Sequence, residues 1–210
     1  MKENNWFDPF YIQSHLNEEE SNIQKNVRDF CNNELKPTVV ERNRKNEFDQ
    51  DLYPKFGSLG VLGQTVKTHG GSGTSNLAYG LVAYEFEKID SSYRSSISVQ
   101  SSLVIHPINE FGSQEQKDKY LPPLIKGEKI GCFGLTESEA GSDPASMKTS
   151  FKKTKDGYIL NGSKNWITNA PIADIFIIWA IEENKDHKSI KGFIIEKNTE
   201  GLNTSTIENK

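Results

Sequence analysis

Gly134, Thr136, Ser138, Gly141 and Ser142 crowd into the stretch CFGLTESEAGSDPASM over residues 132–147, directly after an apolar start. Glycines let a backbone approach a flat or anionic ligand closely, and the hydroxyls and bare N–H groups around them supply hydrogen bonds. A second stretch, NGSKNWITNAPIAD from Asn161, sets Trp166 and Thr168 on either side of Ile167. Along a strand that spacing turns the indole and the hydroxyl to one face. An aromatic plate beside a short donor suits the face and the edge of a planar heterocycle. Taken alone, the residues fit equally well an ordinary connecting loop with Trp166 as a core side chain.

Two kinds of element have to hold these stretches. From Asn17 to about Tyr120 apolar residues recur at helical spacing. Ile23, Val27, Phe30, Cys31 and Leu35 share a stripe, and Asn17 with Glu20 makes a capping box at its start. A short helix follows Asp49 with Leu52, Phe56 and Leu59, and THGGSGTS from Thr68 is a loop. The next helix is expected to bury Leu77, Leu81, Tyr84, Phe86 and Ile89, and the one after it Ile97, Val99, Leu103 and Val104. Ser113 and Gln116 form a second capping box, and the helix they open is expected to close at Pro122 and Pro123. After Gly127 the period changes to two. KDG from Lys155 predicts a hairpin with positive φ at Asp156 and Gly157, DIFIIWAIEE and KGFIIEK read as strands, and a last strand is expected from Leu202. The fold class is therefore α+β: a helical domain over 1–125 and an antiparallel β domain over 126–210.

Composition narrows the function. The chain has 210 residues, a net charge of −4 and a pI near 5.7, so it lacks the basic field that nucleic acid requires. Cys31 and Cys132 stand in no metal-binding spacing and are read as core residues of a reduced protein, and no metal site is expected. His15, His69, His106 and His187 are scattered, and the charge runs read as solvated faces. No Gly-x-Gly-x-x-Gly, Walker loop or His-Glu-x-x-His occurs. The N-terminus carries neither a signal-peptide nor a transit-peptide pattern, and no apolar run reaches the roughly 20 residues of a membrane span. A cytoplasmic location is expected, or the mitochondrial matrix if a transit peptide has been removed.

CFGLTESEAGSD and LNGSKNWITNAPIADIFIIWA closely resemble the signature segments of the acyl-CoA dehydrogenase family, and the likeness runs along essentially the whole chain. The resemblance implies FAD as cofactor, held between a helical domain, a β domain and a C-terminal four-helix bundle that this chain lacks. Phe133, Gly134, Leu135, Thr136, Gly141 and Ser142 would lie along the flavin ring and pyrophosphate, with Ser142 at the boundary with acyl-CoA. Trp166, Ile167 and Thr168 would cover the flavin face away from substrate.

SSYRSSISVQSSLVIHPINEFGS, over residues 91–113, is similar to the matching helix of glutaryl-CoA dehydrogenases. That likeness gives Arg94 the distal carboxylate of the acyl group, with Ser95 and Ser98 as hydrogen-bonding neighbours and Glu87 as a polar partner; without it, Arg94 reads as a surface arginine. The implied reaction removes an α-proton and passes hydride from the β-carbon to flavin, with loss of carbon dioxide from the glutaryl product to give crotonyl-CoA. The family's base is a glutamate expected C-terminal to Lys210, so no catalytic residue is assigned within the chain. A chain ending there is expected neither to bind FAD tightly nor to turn over substrate. Electron-transfer flavoprotein as partner and a homo-oligomer, a homotetramer when complete, follow from the same resemblance. The alternative is a non-catalytic acyl-CoA-binding or interaction module without the bundle.

Overall fold

A computed structural model describes Asp8 and residues 10–207. Most of the N-terminal stretch read above for targeting signals lies outside these residues.

The helical part begins at α1 (Glu18–Phe30), where Asn17 accepts the Glu20 N–H and the Glu20 carboxylate accepts the Asn17 N–H, completing the expected capping box. The other Glu20 oxygen accepts the Ser75 hydroxyl, and Ser75 Oγ itself accepts the Ala78 N–H at the start of α4 (Asn76–Glu87). One carboxylate thus ties two helix N-termini together, where its charge also favours the positive end of each dipole. Between them lie α2 (Val39–Lys45) and α3 (Leu52–Ser58). Phe56 of α3 is fully buried and meets Phe86 edge-on at 5.3 Å, the centre of an aromatic cluster with Phe30 and Tyr53.

Helix α4 buries Ala78, Leu81, Val82, Glu85 and Phe86, whereas Leu77 and Tyr84 stand 46% and 49% exposed, against the sequence expectation. The stripe is displaced because Glu85 takes an inward position. It is only 2% exposed and is held there by Gln24 at 2.8 Å and Arg28 at 2.9 Å. A single long helical run then comprises α5 (Ser91–Ser98), a π-helical stretch over Val99–Ile105 and α6 (His106–Phe111). Helix α7 (Gln114–Ile125) has the expected Ser113–Gln116 box but does not stop at its prolines. Pro122 and Pro123 remove two N–H donors, yet their fixed φ is helical, and one more turn buries Leu124 and Ile125.

The sheet contains β1 (Gly131–Gly134), β2 (Ser150–Lys153), β3 (Tyr158–Asn161), β4 (Ile175–Glu182) and β5 (Lys191–Glu196). It is mixed rather than antiparallel. The β2–β3 and β4–β5 pairs are antiparallel, but β1 and β2 both run parallel to β4. Tight turns announce only the antiparallel pairs; a parallel pair is reached through a long connection and leaves no turn signature. At the β2–β3 turn Gly157 alone has positive φ, and Asp156 does not. Residues 202–207 form no strand, and Leu202 instead packs on Cys132, Ala173 and Phe176.

Because β5 covers one edge of β4 from Ile175 to Ala180, β1 and β2 must share the other edge in succession. β1 takes Ile175 to Ile178 and β2 takes Ile181 and Glu182. The polar stretch after β1 therefore leaves the sheet through the gap between them. Burial pushes both cysteine thiols up to about 12, as their expected core role requires.

Candidate functional site

A cleft of about 270 Å³ opens where the sheet meets the long helix. Phe133, Leu135 and Thr136 form one wall, Trp166, Ile167 and Thr168 the second, and Val99 and Leu103 the third. Both polar stretches singled out by composition thus converge on one surface. Val99 and Leu103 come from the π-helical stretch, a distortion that often marks a functional position. Sequence periodicity assigned both to the core; Val99 is buried there, but Leu103 is 37% exposed, since a helix stripe does not distinguish a buried neighbour from an open cleft.

Trp166 does not lie on a strand. It sits in a bend between β3 and β4 with φ of 61°, a left-handed conformation uncommon for a bulky residue. Nor is it a core side chain, being 66% exposed. The i, i+2 argument that paired its indole with the Thr168 hydroxyl therefore fails, although both residues still line the cleft. Gly134 is buried, and a Cβ there would meet Ile178 Cδ1 at 2.5 Å, so its smallness is needed to seat β1 against β4. Gly141 has open space around it, and Gly141 and Ser142 lie exposed just past a tight turn closed between Glu137 and Ala140.

Two sets of polar contacts fix the walls relative to each other. Gln100, fully buried between Val99 and Ser101, donates to the carbonyls of Leu124 and Lys129, each at 2.9 Å, and accepts the Gly131 N–H at 2.8 Å. It joins the helix that carries Val99 and Leu103 to the first residue of β1, which carries Phe133. Gly131 allows that approach, since a Cβ would stand 2.5 Å from Val104 Cγ1. On the other side, Asn165 N–H donates to Thr136 O at 2.9 Å and links the two polar stretches directly. Lys164 and Glu137 lie beneath that bond as an ion pair at 2.7 Å, with side chains 7% and 9% exposed. Burial opposes the charge on Glu137, but Lys164, Thr149 and the backbone of Lys148 and Thr149 overcome it and hold the carboxyl at about 2.

Arg94, Ser95 and Ser98 lie on α5, the last of them next to Val99. Arg94 is five residues, or about 7–8 Å along the axis, from Val99. Its Nε donates to Glu87 at 2.8 Å, as expected, and Ser91 Oγ donates to the other Glu87 oxygen at 2.7 Å. Arg94 and then Ser91 hold the Glu87 carboxyl below the usual carboxylate range. Among the described residues the two Nη groups of Arg94 have no partner, which leaves the donor edge of the guanidinium available. Of the histidines, His69 does find an acid, Asp118 at 2.9 Å, but neither residue lines the cleft. No cluster of metal-ligating side chains occurs among the described residues, and no helix there is long and apolar enough to cross a membrane.

The N-terminal domain of acyl-CoA dehydrogenases matches residues 17–128, and the middle domain of the same enzymes matches residues 132–210. The chain belongs to the acyl-CoA dehydrogenase family. It is 39% identical over 197 residues to a short-chain-specific acyl-CoA dehydrogenase of Clostridium acetobutylicum, covering 93% of this chain and 52% of that one. It is also 39% identical over 196 residues to the mitochondrial isovaleryl-CoA dehydrogenase of Pongo abelii, covering 90% and 46%. Its fold superposes with a TM-score of 0.91 on a glutaryl-CoA dehydrogenase of Mycobacterium smegmatis solved with FADH2, at 40% identity over 96% of this chain and 51% of that one. The chain spans about half the length of the curated relatives it matches. In this family member the helical and sheet layers are therefore those of the N-terminal and middle acyl-CoA dehydrogenase domains.

Proposed function

We propose that the cleft takes the isoalloxazine ring of FAD and that this chain supplies that face to an FAD-dependent dehydrogenase of glutaryl-CoA. The observation that carries the reading is the convergence of Phe133, Leu135 and Thr136 with Trp166, Ile167 and Thr168 against Val99 and Leu103. Apolar walls and an exposed indole suit a flat ring system, and the Thr136 and Thr168 hydroxyls suit its heteroatom edge. Gly134 serves the ring only indirectly, by seating β1 against Ile178. Gly141 and Ser142, exposed beyond the Glu137–Ala140 turn, are assigned to the pyrophosphate and its junction with acyl-CoA.

When bound, flavin supplies the acceptor for the hydride from the acyl β-carbon. The residues of this chain orient the ring and cover its faces. No Asp or Glu lines the cleft among the described residues, so removal of the α-proton is assigned to a carboxylate outside them. Electron-transfer flavoprotein as electron acceptor and a homotetrameric assembly are proposed on the family likeness.

The ring-binding assignment is tested by titrating the 210-residue chain into FAD. Weak quenching of flavin emission is expected, with Kd on the order of 0.1 mM, and Trp166→Ala should abolish it. Absence of quenching at millimolar chain would overturn the assignment.

The choice of glutaryl-CoA rests on Arg94. Its Nε is anchored by Glu87, and Ser95 and Ser98 follow it along α5, whose C-terminal end runs into Val99. A fixed guanidinium offsets the cost of burying a carboxylate. In an active protein containing this chain, Arg94→Gln is expected to lower kcat/KM for glutaryl-CoA about 10- to 100-fold while changing butyryl-CoA by less than about threefold. Equal losses on the two substrates would exclude the dicarboxylate reading.

A further inference from the structure

Lys164 and Glu137 are spent on each other and on the protein's own backbone. Lys164 Nζ donates to Glu137 Oε1 at 2.7 Å and to Leu135 O at 2.9 Å, and approaches Met147 Sδ at 3.9 Å. Glu137 Oε1 also accepts the Thr149 N–H at 3.0 Å, and Oε2 accepts the Lys148 N–H at 2.7 Å. The pair therefore gathers three segments: the cleft wall at Leu135–Thr136, the entry to β2, and the bend between β3 and Trp166. The last two residues of this connection are Asn165, whose N–H meets Thr136 O, and Trp166 itself, in its left-handed conformation.

Stability alone is a poor reason to bury such a pair, since a neutral pair of similar volume is often as stable. What charge and directionality add is a single geometry. A left-handed Trp166 costs on the order of 1–3 kcal/mol and persists only where its surroundings hold it; the residue before it, Asn165, is tied to Thr136, next to the Leu135 carbonyl that Lys164 holds.

We propose that Glu137 and Lys164 are a positioning pair, holding the Thr136 wall and the Trp166 wall of the cleft at a preset separation before any ligand arrives. Neither side chain lines the cleft, so they act through Leu135, Thr136 and Asn165 rather than by contact. The consequence for binding rests on the flavin reading above; the consequence for the protein without ligand does not.

The test is amide hydrogen exchange on the 210-residue chain without flavin, comparing wild type with Glu137→Gln/Lys164→Met. The neutral pair should leave the urea midpoint close to wild type, while the Asn165 amide exchanges at least tenfold faster relative to the amides of β4. Glu137→Gln alone guards against a double variant that does not fold, and should shift the same ratio in the same direction. An unchanged ratio, in either variant, overturns the proposal, as does equal acceleration of Asn165 and β4, which marks a merely structural role. Flavin titration is read separately. If wild type binds no flavin but the exchange ratio shifts, the positioning pair stands and the ring assignment falls. If wild type binds and the double variant binds equally well with an unchanged ratio, the pair falls and the ring assignment stands.

Discussion

Replacing Gln100 with leucine is expected to destabilise the chain by about 3 kcal/mol, read as a lower urea midpoint at unchanged slope. The residue is fully buried, so its partners have no water to turn to. Leu124 O keeps a partner in the Gly127 N–H, but the Gly131 N–H and Lys129 O lose the only bonds that Gln100 gave them. A buried amide group left without a partner costs about 1–3 kcal/mol, and two of them set the size of the effect. Leucine fills a similar volume, so a cavity does not confuse the result. Function should follow, because Gly131 begins the strand that carries Phe133 and Gln100 sits next to Val99. A variant with the wild-type midpoint would show that the helix and β1 are held together by apolar packing alone.

Gln100 also shows where the sequence stops being legible. Both capping boxes, at Asn17 and Ser113, could be read because every atom involved lies within four residues. The hairpins were legible for the same reason. Gln100 bonds residues 24, 29 and 31 positions away, and one glutamine inside an apolar helix carries no local mark of that. The parallel pairing of β1 and β2 with β4 is equally non-local. Of the site, the two polar stretches were conspicuous because glycine, threonine and tryptophan are costly to place without purpose. Their internal geometry was not. Trp166 was expected on a strand, but the structure sets it in a left-handed bend, which nothing in the local pattern of apolar and polar residues announces. Glu137 and Lys164 were invisible for the opposite reason: charged residues are usually solvated, so composition assigned them to the surface.

Glu137 gives the largest expected pH effect. Its carboxyl is held at about 2 in the folded chain, against about 4.3 when unfolded. A folded value below the unfolded one means that the unfolded chain takes up the proton first, so acid favours unfolding. The stabilisation is fully present above about pH 4.5 and is lost as pH falls toward 2. A gap of roughly two units bounds it at about 3 kcal/mol. Other carboxylates are lowered as well, including Glu87 by Arg94 and Ser91, Asp118 by His69 and Gln114, and Glu196 by Lys119 and Tyr120. These lie at the surface, where about 1 M salt screens them while the buried pair is little affected. Glu85 is buried and lowered too, Arg28 overcoming its burial, but it is common to both proteins, so the difference between wild type and Glu137→Gln in high-salt urea unfolding isolates Glu137. The variant should be less stable by about 2–3 kcal/mol at pH 7 and should converge on wild type near pH 2. A gap of the same size at both ends would mean that the carboxylate contributes shape rather than charge, and the electrostatic account of the cleft's foundation would have to be abandoned.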